Sequence, residues 1–251
     1  MMKTEKMSRK KLSGRLQAAA ELVTVRTVVA DVGTDHGYLP VWLCGEGVTE
    51  KAIAMDLREG PLQRAGEHIR EAGLTDRIEV RISDGLSALK PGEADGAVIT
   101  GMGGILISRI LRQSPDIVCK LSELVLGPQS DAALVRRTLE SMHFLIDREI
   151  MLKEDGKYYV LIHAVPDSGP ETAAPDDSHG YGLSDTEAAY GPCLLREKNP
   201  VLLEYLLREI TVRETILRNL QQISGDTADR RRHEIEEEKQ LAEAALNRYE
   251  L

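Results

Sequence analysis

Five short segments of this 251-residue chain carry residue types that can do chemistry. They are Asp31-Val32-Gly33-Thr34-Asp35-His36-Gly37, Asp56, Asp84-Gly85, Gly101-Met102-Gly103-Gly104 and Pro128-Gln129. In the first, Gly33 and Gly37 permit a sharp turn and a close approach of backbone to a ligand. A dinucleotide fingerprint, G-x-G-x-x-G, would place a second glycine where Asp35 stands. A carboxylate there repels pyrophosphate at close range, by several kcal/mol once desolvated. A ligand with a cationic centre and no phosphate fits better. S-adenosylmethionine, with its sulfonium and ammonium groups, is the common cofactor of that type.

The other segments follow the same logic. Asp56 lies roughly twenty residues past the first loop, where an acid can accept hydrogen bonds from both ribose hydroxyls. Asp84 can accept from an adenine amino group, with the Gly85 or Leu86 amide near the ring. Asp31 reads as a structural acid that orders amides or water beneath the methionine moiety. Gly101 to Gly104 removes side chains beside a reacting methyl group, although a close helix–sheet contact accounts for the same glycines. His36 beside Asp35 invites a catalytic pair and equally fits a helix-start histidine with a capping aspartate. No nucleophile elbow, metal spacing or phosphate loop stands out.

These segments need elements that bring them together. Val28–Val32, Lys51–Asp56, Arg77–Ile82, Asp95–Thr100 and Leu124–Leu126 read as buried strands, each followed by a helical stretch. The fold class is therefore α/β, a Rossmann-like, mostly parallel sheet. Phe144–Leu152 and Lys157–Val165 are strand-like and separated by a turn with Asp155-Gly156, a hairpin signal. A hairpin finish, rather than another crossover, is how class I S-adenosylmethionine-dependent methyltransferases end. The pattern predicts a catalytic domain with an N-terminal helix over 1–165, a Pro/Gly/Ser-rich linker over 166–191, and a helical hairpin, coiled-coil-like, over 192–251.

Composition bounds the partners. The formal net charge of −9 argues against a general polyanion binder, and 4% aromatics argues against stacking on many bases. Three scattered cysteines suggest a reducing compartment, and no apolar run approaches a membrane span. A cytoplasmic protein is expected.

The segments together resemble a known family. Ala30 to Pro40, Ser83-Asp84-Gly85-Leu86, Gly101-Met102-Gly103-Gly104 and Asp155-Gly156-Lys157-Tyr158-Tyr159 resemble the bacterial tRNA (adenine-N1)-methyltransferases that modify the adenosine at tRNA position 22. The resemblance extends to Leu12-Ser13-x-Arg15-Leu16, Tyr190-Gly191-Pro192 and the C-terminal helices. It implies S-adenosylmethionine as cofactor, tRNA as partner, and a helical extension that helps hold the tRNA. Cofactor contacts are expected from Asp31, Gly33, Asp35, His36, Gly37, Asp56, Asp84, Gly85 and Gly101. Asp35, Met102 and Gln129 are expected at the target adenine, Gln129 replacing the asparagine amide of the family's Gln-Pro-Asn. Tyr38 and Met102 are candidates to flank the base. Phosphate contacts are expected from Lys10, Lys11, Arg15, Arg136 and Arg137, whereas Arg230 to Arg232 read better as balancing Glu234 to Glu238. The expected assembly is a monomer, with a homodimer as the alternative. Competing readings are a methyltransferase for a small molecule or protein, and a noncatalytic or nicotinamide-binding Rossmann protein.

Overall fold

A computed structural model of the chain describes residues 12–167, 182–221 and 225–249. The order of elements is α1 (Gly14–Leu22), β1 (Val28–Val32), α2 (Tyr38–Gly45), β2 (Lys51–Asp56), α3 (Glu59–Glu71), β3 (Ile78–Ile82), β4 (Gly96–Met102), α4 (Gly104–Gln113), α5 (Pro115–Val118), β5 (Glu123–Pro128), α6 (Ala132–Ser141), β6 (Phe144–Glu154) and β7 (Lys157–Pro166). Four further helices follow: α7 (Asp185–Tyr190), α8 (Pro192–Arg196), α9 (Pro200–Leu220) and α10 (Asp226–Asn247).

The strands form one sheet in the order β3-β2-β1-β4-β5-β7-β6. The first five pair in parallel, and β7 runs antiparallel between β5 and β6. The expected hairpin is present, its turn made by Asp155 and Gly156 at φ +50° and +75°. Chain direction around the sheet reverses between β1 and β4, so the loops after these strands diverge and leave a crevice, the usual ligand position in such sheets.

Apolar side chains cover both faces. On one, Ile99, Ile107, Leu111, Leu126, Val135 and Leu139 join α4 and α6 to the sheet. On the other, Ala19, Ala20 and Leu22 of α1 pack with Val29, Leu43, Val98, Val125 and Leu161. The alanines give α1 a flat face that lies close on the strands. Its first turn is also tied down, because the Gly14 N–H donates to Glu154 Oε1 at 2.6 Å. Thus α1 reaches across the sheet from its own strand to the far hairpin, and its start overhangs the crevice.

The stretch read as a linker is partly structured. Ser184 caps α7, its side chain accepting from the Glu187 N–H at 3.2 Å while the Ser184 N–H donates to Glu187 Oε2 at 3.0 Å. The remainder, 168–181, lies outside the described residues. Helices α9 and α10 run antiparallel, as expected. Tyr249 near the end of α10 donates to the Asn199 carbonyl at 2.9 Å, and Leu202, Leu206, Ala242 and Ala245 form the buried seam. Leu202 and Leu206 are the pair of α9 buried in this seam.

An ion pair joins this helical region to the sheet. Arg136 of α6 and Glu149 of β6 pair at 2.8 Å with their side chains 1% and 0% exposed. Arg136 also donates to the carbonyls of Ala188 and Ala189, and Glu149 accepts the Cys193 N–H at 3.0 Å. Every partner is hydrogen-bonded, the condition under which a buried pair holds.

Candidate active site

The carboxyl ends of β1, β2, β4 and β5 open into a cavity of about 940 Å³, at the upper end of the usual ligand-pocket range. The end of β1 contributes Asp31 and the turn after it Gly33 and Asp35, while Asp56 ends β2 and Arg58 follows it. Gly101 and Met102 of β4 face Pro128 and Gln129 of β5. Leu12, just before α1, Arg15 and Leu16 of α1 and Tyr159 of β7 wall it from the side.

The floor is shaped by backbone. Gly33 has φ +78°, and a Cβ there would strike the Met102 methyl. Only glycine meets both demands without strain. The N–H groups of Gly33 and Thr34 both donate to the Met55 carbonyl, at 2.8 and 2.9 Å. Amides tied into β2 in this way are not free to cradle a pyrophosphate. That removes the main anchor of the nicotinamide reading.

Three carboxylates reach the cavity in different states. Asp31 is 5% exposed, and burial, opposed by the Thr34 hydroxyl and reinforced by the Asp56 charge, pushes its carboxyl up to about 6. Asp56 is buried at the end of β2 and accepts the Arg58 N–H at 2.8 Å. Asp35 is exposed, with Arg64 Nη2 at 3.5 Å and His36 Nε2 at 3.4 Å.

Several expected contacts stand beside the cavity rather than in its wall. His36, at φ +60°, stacks on Tyr38 and His68 with ring centroids 5.4 and 5.7 Å away. His68 Nδ1 lies 2.7 Å from the His36 carbonyl, which fixes the turn. Asp84 is exposed and follows Ser83, whose N–H donates to the Asp56 carbonyl at 3.0 Å, so it stands close to Asp56. Gly37 packs on Ala65, and Gly85 is held against Ile110, where a Cβ would clash at 2.8 Å. The need for glycine at 85 therefore comes from α4. Gly104, at the start of α4, lies against the Ser130 and Asp131 carbonyls of the loop between β5 and α6, so its close contact is with that loop rather than with the sheet.

The basic residues need correction. Arg136 is buried in its pair with Glu149 and presents nothing to a phosphate. Arg137 donates to Asp185 at 2.7 Å, to Glu140 at 3.2 Å and to the Leu183 carbonyl, so it anchors the start of α7. Arg15 is exposed on the cavity wall, its guanidinium 5.4 Å from the Tyr159 ring centre. Lys10 and Lys11 lie outside the described residues. Arg231 pairs with Glu234 at 2.8 Å as expected, whereas Arg232 pairs with Asp229 at 2.6 Å, on the other side of the arginine run. Sequence reasoning passed over Arg58, Arg64 and Tyr159. Alternation along β7 could have singled out Tyr159, but nothing local marked the two arginines.

The chemistry of these groups suits an adenosyl cofactor with a cationic tail. An acid at the second strand fits ribose, carboxylates around the first turn fit an ammonium group, and the Gly33 and Thr34 amides are already engaged by the Met55 carbonyl. Among the described residues there is no cluster of His, Cys, Asp and Glu that could hold a metal ion.

Comparison with known proteins agrees with this geometry. Residues 12–162 match the family described as a methyltransferase domain. The chain is 36% identical over 245 residues to the tRNA (adenine(22)-N(1))-methyltransferase of Bacillus subtilis strain 168, covering 98% of this chain and 97% of that one. The crystal structure of the B. subtilis m1A22 tRNA methyltransferase is similar with a TM-score of 0.80 and 31% identity, over 94% of this chain and 99% of that one. A structure of the M. capricolum relative in complex with S-adenosyl-homocysteine gives a TM-score of 0.78 and 26% identity, over 95% and 99% of the two chains.

Proposed function

The chain belongs to the tRNA (adenine(22)-N(1))-methyltransferase family, and from that premise we propose that it methylates N1 of adenosine 22 of tRNA, with S-adenosylmethionine as methyl donor. The observation that supports this most is the cavity, which gathers Asp31, Asp35, Asp56, Met102 and Gln129 at one end of the sheet.

Bound there, S-adenosylmethionine supplies an electrophilic methyl group on a sulfonium. Asp56 would take the ribose hydroxyls, Asp84 the adenine amino group, and Asp31 and Asp35 the charge of the ammonium end. Gly33 and Gly101 leave room beside them. N1 of neutral adenine already carries an in-plane lone pair, so the protein needs no strong base before attack. Its work is to position the base and to receive positive charge as it develops. Asp35, exposed at the cavity lip, accepts from the exocyclic amine, and the Gln129 amide and Met102 side chain hold the ring. N1 faces the Watson–Crick partner, so the adenosine must be unpaired or turned out of its stack.

Arg15 contacts RNA phosphate, together with Lys10 and Lys11. The catalytic unit spans 1–165, and the helical region after 191, joined to it through Arg136 and Glu149, helps hold the tRNA. No helix among the described residues is long and apolar enough to cross a membrane. We take the protein to act in the cytoplasm as a monomer.

The test is methyl transfer from labelled S-adenosylmethionine to an unmodified tRNA transcript with adenosine at position 22, beside one with guanosine there. Label on the first alone, with a reverse-transcription stop at that base, is the expected result. Label on both, or on neither while cofactor still binds, would discard the assigned target.

A further inference from the structure

The cavity of this acidic protein has arginines at its lip, and two of them are held only loosely. Arg58 Nε lies 3.5 Å from Asp56, and Arg64 Nη2 lies 3.5 Å from Asp35. Their side chains are 77% and 46% exposed. The structural arginines of the chain are bound much more tightly. Arg81 reaches Glu79 and Glu93 through four hydrogen bonds of 2.7–2.9 Å, and Arg136 is sealed against Glu149. A long, single, solvated contact contributes little to stability, so packing does not account for these two residues. What they share is the carboxylate each one leans on, and both carboxylates are assigned above to the reaction.

We propose that Arg58 and Arg64 are positioning residues for the RNA phosphates and that cofactor binding makes them available. The inference rests on the proposed roles of Asp56 and Asp35. When these carboxylates turn to the ribose hydroxyls and the ammonium group, the two guanidinium groups lose their direct carboxylate contacts at the mouth of the cavity. Phosphates of the incoming tRNA then neutralise them. Cofactor and tRNA thereby bind cooperatively, and linkage requires the effect to be mutual.

The test measures affinity, not turnover. Unmodified tRNA is titrated over a range of salt with and without saturating S-adenosylhomocysteine, and S-adenosylhomocysteine is titrated alone by calorimetry. Wild type, Arg58→Gln/Arg64→Gln and Arg58→Lys/Arg64→Lys are compared. In wild type, S-adenosylhomocysteine should tighten tRNA several-fold. The glutamine pair should lose this coupling and lower the salt slope by about two, yet bind S-adenosylhomocysteine alone about two- to five-fold tighter, because no ion pair has to be broken. The lysine pair should keep the coupling. Weaker S-adenosylhomocysteine binding by the glutamine pair would make the arginines cofactor contacts and overturn the proposal. So would an unchanged salt slope, or a wild type without coupling. A chain that methylates adenosine 22 normally but shows no coupling refutes this inference alone, whereas absence of methyl transfer to tRNA refutes the functional reading beneath it.

Discussion

Asp31, near the carboxyl end of β1, and Glu123, at the amino end of β5, are carboxylates buried in the same sheet at its opposite ends. Glu123 is surrounded by donors. It accepts the Thr24 N–H at 2.9 Å, the Val25 N–H at 3.2 Å, the Thr24 hydroxyl, and His163 Nε2 at 3.1 Å. His163 in turn has Nδ1 2.5 Å from Asp147. Burial works against the charge on Glu123, but His163 and the Thr24 and Val25 donors outweigh it and hold the carboxyl below its usual range. Burial would likewise lower His163, yet Glu123 and Asp147 together raise it. Asp31 has only the Thr34 hydroxyl to set against burial and the Asp56 charge, and its carboxyl rises to about 6. One end of the sheet satisfies its buried charge internally and is finished as structure. The other leaves it largely uncompensated, and the proposed role of Asp31 is to meet the positive charge of a ligand there.

This contrast can be broken by substitution. Glu123→Ala should be the most costly change, about 3–5 kcal/mol in urea denaturation, because it takes the acceptor from the Thr24 and Val25 amides and the Thr24 hydroxyl and one of two carboxylate partners from the buried His163. A loss below about 1 kcal/mol would remove the distinction between the two ends. Arg136→Ala should cost a similar or slightly smaller amount by leaving Glu149 buried and unpaired. The salt dependence of tRNA binding, measured where the variant is folded, should stay unchanged. A shallower slope would return Arg136 to the RNA surface.

Asp31→Asn should act in the opposite direction. The folded-state pKa lies above the unfolded value of 3.8, so the folded state holds the proton more tightly and stability falls as pH rises from about 4 to about 6. Asparagine removes that penalty. The free protein should gain up to about 2–3 kcal/mol at pH 8 and nothing at pH 3.5, while affinity for S-adenosylhomocysteine drops. Destabilisation at pH 8 would show that Asp31 already has its partner. The smallest expected effect is that of His163→Gln. A histidine raised on folding stabilises fully below its unfolded pKa of 6.5 and loses that contribution as pH climbs through the higher folded value. The variant should therefore lose about 1–2 kcal/mol at pH 6 and markedly less at pH 10, read from thermal unfolding at the two values.

The two ends also differed in how far the sequence announced them. The loops after β1, β2 and β4 were legible because a glycine or an acid at the end of a buried strand points to a tight turn or a polar ligand. The alternation of strands and helices placed them together, and Asp155-Gly156 marked the hairpin. The Glu123–His163–Asp147 network carried no local signal, since its members come from three strands and pair only in three dimensions. Arg136 and Arg137 looked alike as neighbours, yet α6 turns one into the core and leaves the other half-exposed on Asp185. The overhang of α1, which brings Arg15 to the cavity wall, depends on packing against β6 and β7 more than a hundred residues away. Helix α7 was recoverable, because Ser184 and Glu187 have the spacing of a capping box, but the polar composition around it concealed the signal.

The contrast between the two carboxylates is tested most directly by calorimetry of S-adenosylmethionine binding at pH 6 in two buffers of different ionisation enthalpy. A cationic ligand beside Asp31 stabilises its charged form, so binding should release up to about half a proton in wild type and none in Asp31→Asn, with Glu123→Gln, if folded, behaving as wild type. Equal proton release from wild type and Asp31→Asn, or none from either, would show that the buried acid at the end of β1 is not held ready for the cofactor's charge.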